Sequence, residues 1–87
     1  SIDLSNASPN PILNGYTSVT IETSETGNTT LVLSDVQGRL VKTFINGEIG
    51  IGRRVVALDV SGLASGTYLL SLRTPTEAVT IRVEVAP

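Results

Sequence analysis

Apolar and polar residues alternate along most of this chain. Over Ala78–Val85 every odd position is aliphatic (Val79, Ile81, Val83, Val85), with Thr80, Arg82 and Glu84 between them. Successive side chains of a strand point to opposite faces, so this spacing predicts a half-buried β-strand. Residues 18–23 repeat it with Val19 and Ile21, 29–35 with Leu31 and Leu33, and 67–73 with Tyr68, Leu70 and Leu72. Residues 55–60 do so with Val56, Leu58 and Val60. Residues 39–45 have a strand's composition, but Leu40, Val41 and Phe44 settle no register. A further short strand is expected within 2–7, before Pro9 and Pro11. No stretch holds an i, i+3, i+4, i+7 apolar stripe for three turns, so no helix is predicted.

Turn formers fall between these segments. Pro9-Asn10-Pro11, Asn14-Gly15, Glu25-Thr26-Gly27-Asn28, Asp35-Val36-Gln37-Gly38, Asn46-Gly47, Ser61-Gly62, Ala64-Ser65-Gly66 and Thr74-Pro75-Thr76 are all read as turns. In the 35–38 turn, Asp35 can hold the reversal through its carboxylate while Gly38 supplies positive φ. Leu63, between two glycine-containing turns, reads as an apolar plug where the chain crosses between sheets. Tyr68, two residues after Gly66, should start its strand ring-inward, its hydroxyl bonded to the crossover backbone as in a tyrosine corner. Seven short strands separated by turns predict a single all-β domain, a seven-stranded immunoglobulin-like antiparallel β-sandwich.

Composition supports this and narrows the chemistry. Val, Leu and Ile account for 27 of 87 residues and Thr for 11, a β-favouring mixture. A chain of 9.1 kDa should expose roughly 4,900 Å² when folded, enough for one core and too little for a second lobe. Six basic against eight acidic residues give a net charge of −2, so no nucleic acid is expected as partner. No run approaches the ~18 apolar residues of a membrane helix, so no direct membrane insertion is expected. The chain opens on Ser1 and lacks Met, and is expected to be a piece of a longer protein.

The absence of His and Cys removes the usual general base, thiolate nucleophiles and thiolate metal sites. Asp35, Glu48, Asp59 and Glu77 sit near turns, where carboxylates are ordinarily solvated, and Lys42 has no Ser-x-x-Lys spacing before it. A calcium site from loop carboxylates has the right oxygen donors but no Asp-x-Asp-x-Asp loop. Sugar binding would rest on Tyr16 as the exposed ring among Tyr16, Phe44 and Tyr68. The outward-facing Val32 and Leu69 are either an apolar docking patch or ordinary scattered surface residues. Asn6-Ala7-Ser8 and Asn28-Thr29-Thr30 match the glycosylation triplet, which is common by chance. Neither a catalytic site, nor a metal, nor any cofactor is predicted.

The order of motifs is more specific than any one of them. Asn10-Pro11 lies near the start, Asp35-Val36-Gln37-Gly38-Arg39-Leu40-Val41 follows a strand, and Gly52 leads into Val56-Ala57-Leu58-Asp59-Val60-Ser61-Gly62-Leu63-Ala64-Ser65-Gly66-Thr67-Tyr68-Leu69-Leu70. With the closing alternating strand, residues 6–85 closely resemble the type A C-terminal sorting domain of the type IX (Por) secretion system of Bacteroidetes and related bacteria. The resemblance implies the tail of a larger exported protein, with a cargo domain upstream. It implies recognition by the outer-membrane translocon after periplasmic transit, cleavage by a sortase-like peptidase, and a secreted or cell-surface destination. It also assigns recognition to the last strands and C-terminal residues, here roughly 78–87, with Val79, Ile81, Arg82, Val83 and Val85 as the candidate residues. Members often finish on a basic residue, whereas here Arg82 is the last positive charge. Asn10, Pro11, Asp35, Gly38, Arg39, Leu63, Gly66 and Tyr68 are expected to act through folding. Two other readings share the fold: a carbohydrate-binding or adhesive accessory module of a surface enzyme, and a structural spacer like the immunoglobulin-like domain of flagellar hook-capping proteins.

Overall fold

The computed structural model describes residues 2–87. Its seven strands are β1 (Ile2–Leu4), β2 (Tyr16–Thr23), β3 (Gly27–Asp35), β4 (Leu40–Ile49), β5 (Gly52–Asp59), β6 (Gly66–Arg73) and β7 (Ala78–Val85). They form two antiparallel sheets, one ordered β1-β2-β5 and the other β4-β3-β6-β7. The all-β expectation holds, with every predicted strand in place and no helix among the described residues. The folded surface is 4901 Å², as size scaling predicts for one core.

The inner faces carry the alternating positions. Val19, Ile21, Leu31, Leu33, Leu58, Leu70, Leu72 and Val83 are all buried between the sheets. Each such side chain contributes roughly 1.5–3 kcal/mol by leaving water. The period of two is therefore what selects the fold: any one-residue slip would turn these groups to solvent.

Strand β4 departs from that period, which is why its register is not legible in its composition. Leu31 pairs with Ile45 but Val32 with Thr43, leaving Phe44 extra; Leu33 pairs with Lys42 but Ser34 with Leu40, leaving Val41 extra. Two bulges thus shift the alternation twice. As a result Val41, Phe44, Ile45 and Ile49 all lean on the core. Asn46-Gly47, expected as a turn, instead continues β4 opposite Thr30 and Thr29. The ladder with β3 persists there, and carrying Ile49 to the core requires it; the reversal falls at Gly50-Ile51.

A strap closes one side. The Ser5 N–H bonds Thr20 O (2.9 Å), and Ser8 exchanges backbone bonds with Ser18, continuing the small sheet past β1. The chain then crosses to the large sheet. The Ile12 N–H bonds Glu84 O (2.8 Å) and the Ala86 N–H bonds Ile12 O (2.9 Å). The Ile12 side chain is fully buried and anchors the crossing.

Candidate recognition site

One end of the molecule gathers the β3–β4 hairpin, the crossover from β5 to β6 and the close of β7. In the hairpin, Asp35 Oδ1 accepts the Gln37 N–H (2.9 Å) and the Arg39 N–H (3.0 Å), while Oδ2 accepts Arg39 Nε (2.8 Å). Gly38 sits at φ +85°, in the left-handed region that glycine enters without a Cβ penalty. The Arg39 N–H foremost, with its guanidinium and the Gln37 N–H, holds the Asp35 carboxyl below the usual carboxylate range.

The crossover is built in the same way. Asp59 Oδ1 accepts the Ser61 hydroxyl (2.6 Å) and the Ser61 N–H (3.0 Å), which lower its pKa, the hydroxyl most. Leu63 is half-buried against the core and donates its N–H to Val60 O (3.2 Å). Buried Tyr68 donates its hydroxyl to Ala64 O at 2.6 Å. The ring fills the core while the hydroxyl ties the crossover to β6, as its position after Gly66 predicts. These residues are structural in their immediate contacts.

Asn10 joins this end through its side chain. Its Oδ1 accepts the Glu84 N–H (3.0 Å) and its Nδ2 donates to Arg82 O (3.2 Å). A carboxamide has one acceptor and one donor group in the same plane, as a peptide unit does, so Asn10 stands in for a neighbouring strand along β7. Sequence reading misses this role. The signal was Asn-Pro beside the apolar pair Ile12-Leu13, but its target lies 72 and 74 residues away.

Strand β7 is one of the two outer strands of the large sheet, β4 being the other. Its expected recognition residues divide sharply. Val83 and Val85 are buried, Val79 and Ile81 are half-buried, and only the Arg82 side chain, 74% exposed, faces solvent. Arg82 Nε bonds Glu84 Oε1 (3.0 Å), and Glu84 also accepts the Thr67 hydroxyl. A partner approaching the folded domain along this edge meets Arg82 and the backbone. With Asn10 and Ile12 on Arg82 O, Glu84 and Ala86, the backbone left open lies toward Ala78 and Thr80.

The remaining candidates do not converge. Val32 and Leu69 are half-buried rather than open, and Tyr16 is 60% exposed near the crossover without a second exposed ring beside it. Among the described residues no three acidic side chains group together as metal ligands would.

The motif residues Asn10, Pro11, Asp35, Gly38, Arg39, Leu63, Gly66 and Tyr68 therefore occupy the end of the molecule where β7 closes. No curated protein matches the chain. A family of secretion system C-terminal sorting domains matches residues 6–85, from the strap through the last core residue of β7. That match spans strands β2 to β7 and every motif described above, and the chain belongs to this family, the C-terminal sorting domains of type IX secretion.

Proposed function

We propose that this domain is a non-catalytic address read at the end where its motifs meet. The chain is a C-terminal sorting signal for type IX secretion, the tail of a cargo protein that reaches the outside or the cell surface. In the finer reading the fold is an immunoglobulin-like sandwich and the cargo domain lies upstream. The outer-membrane translocon engages the domain after periplasmic transit, and a sortase-like peptidase removes it. Recognition falls on β7, directly through Arg82 and the open backbone and indirectly through Val79, Ile81, Val83 and Val85, which seat the strand whose shape the eight motif residues maintain.

The observation that supports this reading is that Asn10 holds Arg82–Glu84 of that outer strand in one conformation, while Gly66 and Tyr68 pair with Val85 and Val83 on its other side. A signal read as a folded shape needs its turns, so structural and recognition roles coincide. The test fuses residues 1–87 behind a periplasmic reporter in a host competent for type IX secretion. Reporter should appear outside the cell, and deleting residues 81–87 should stop it. Reporter held in the periplasm by the intact fusion refutes the reading.

A further inference from the structure

The two layers are unequal, three strands facing four. On the β1 side the strap of residues 5–12 fills the difference. On the opposite side no strand lies beyond β5, and β4 is the outermost strand of the larger sheet. The β4 side chains Val41, Phe44, Ile45 and Ile49 stay only half-buried, whereas the inward residues of neighbouring β3, Leu31 and Leu33, are fully buried.

The β5 edge presents backbone groups that no strand pairs. The Val60 N–H bonds Gly15 O (2.8 Å). By the alternation of an antiparallel ladder, residues 54, 56 and 58 then bond β2, while the N–H and C=O of Arg53, Val55, Ala57 and Asp59 point away. Lys42 Nζ, bonded to Asp59 O, confirms that direction. Proteins ordinarily guard such edges with shortness, bulges or covering segments. Here β1 has three residues, β4 carries two bulges and half of β7 is covered, but β5 pairs without a register break over eight residues. Val55, at the middle of the edge, is 71% exposed.

The edge carries both signs: the Asp59 carboxylate lies within the field of Lys42, whereas Arg54 has no such partner among the described residues. Lys42 lies above the Phe44 ring (5.6 Å to its centroid). Arg54 is half-buried, with Nη2 on Gly50 O (3.1 Å) and a buried Nε that has no partner. Among the described residues neither cation has a carboxylate within ion-pair distance.

We propose that the β5 edge is a second interaction surface, a vacant strand position for an extended segment of a partner polypeptide. That segment pairs its backbone with Val55 and Ala57, lays apolar side chains at alternate positions over Val41, Phe44 and Ile45, and brings a carboxylate to Arg54. Main-chain bonds supply the attraction, and the apolar and acidic pattern supplies the selectivity. The surface is separate from β7 and does not depend on the sorting reading.

The test titrates the isotopically labelled 87-residue chain with a capped eight-residue peptide of alternating valine and threonine bearing one glutamate, and with its lysine counterpart. The glutamate peptide should shift the Val55 and Ala57 amides and slow their exchange, leaving Ala78 and Thr80 unmoved. The lysine peptide should bind at least about tenfold more weakly. Val55→Pro should abolish binding with the fold intact, because that N–H bonds nothing in the small sheet. Unmoved Val55 and Ala57 amides at millimolar peptide overturn the proposal, as does equal binding of both peptides or undiminished binding by Val55→Pro. The same shifts on raising protein concentration without peptide assign the edge to a second copy, and overturn it too.

Discussion

Replacing Asn10 with alanine isolates the one side chain that acts as a strand. Its carboxamide makes two bonds to β7, from the Glu84 N–H (3.0 Å) and to Arg82 O (3.2 Å). Each is worth about 0.5–1.5 kcal/mol net. Arg82 O can turn to water, but the Glu84 N–H is partly buried, so its loss falls at the upper end. The sum is about 1–3 kcal/mol, which for a domain of this size lowers Tm by roughly 5–15 °C. Amide exchange gives the sharper assay, because the loss is confined to one edge. Exchange at Glu84 should accelerate roughly tenfold to a hundredfold, while Leu31, Leu33 and Leu70 in the sheet centre follow only the global change. Asn10→Asp adds a control of sign. The carboxylate still accepts the Glu84 N–H but sets an oxygen against Arg82 O, so at neutral pH it should be at least as damaging as alanine. Lowering the pH protonates the new carboxyl and restores a donor, so part of the stability should return. If Glu84 exchanges no faster in Asn10→Ala while Tm falls, Asn10 acts elsewhere and the strand-mimic argument fails.

Two other perturbations test the ends of the same construction. Tyr68→Phe keeps the ring and removes the hydroxyl on Ala64 O (2.6 Å). It should cost about 1–2 kcal/mol in thermal or denaturant unfolding, and a neutral result would mean that the bond does not tie the crossover. Asp35 should titrate below an ordinary aspartate, since the Arg39 and Gln37 donors favour its ionised form. A lowered folded pKa means that its stabilisation is complete above the unfolded value of about 3.9 and disappears as pH falls through the folded one. Melting curves across that acid range should lose this dependence in Asp35→Asn, and an NMR titration placing Asp35 at or above the ordinary value would contradict the hairpin account.

Most of the inner faces is legible in the sequence alone. The odd positions of 79–85, Val19 and Ile21, Leu31 and Leu33, and Tyr68, Leu70 and Leu72 declare their faces through a period of two that needs no knowledge of the partner strand. The Asp35–Gly38 turn and the Tyr68 corner were legible for the same reason, since their partners lie within four residues. The motif order also identified the family, because spacing along the chain survives without structure.

What the sequence left open depended on distant partners. The bulges at Val41 and Phe44 exist only relative to β3, so the composition of β4 could not reveal them. Asn46-Gly47 has the local chemistry of a turn, yet the ladder with Thr29 and Thr30 overrides it. Asn10 reads as part of a proline-flanked turn, and only folding brings its carboxamide to Arg82 and Glu84. The alternation of side chains determined which residues face the core; the pairing of strands decided which edges are covered and which stand open. Faces follow from the local geometry of one strand, whereas edges are defined by whatever lies beside it.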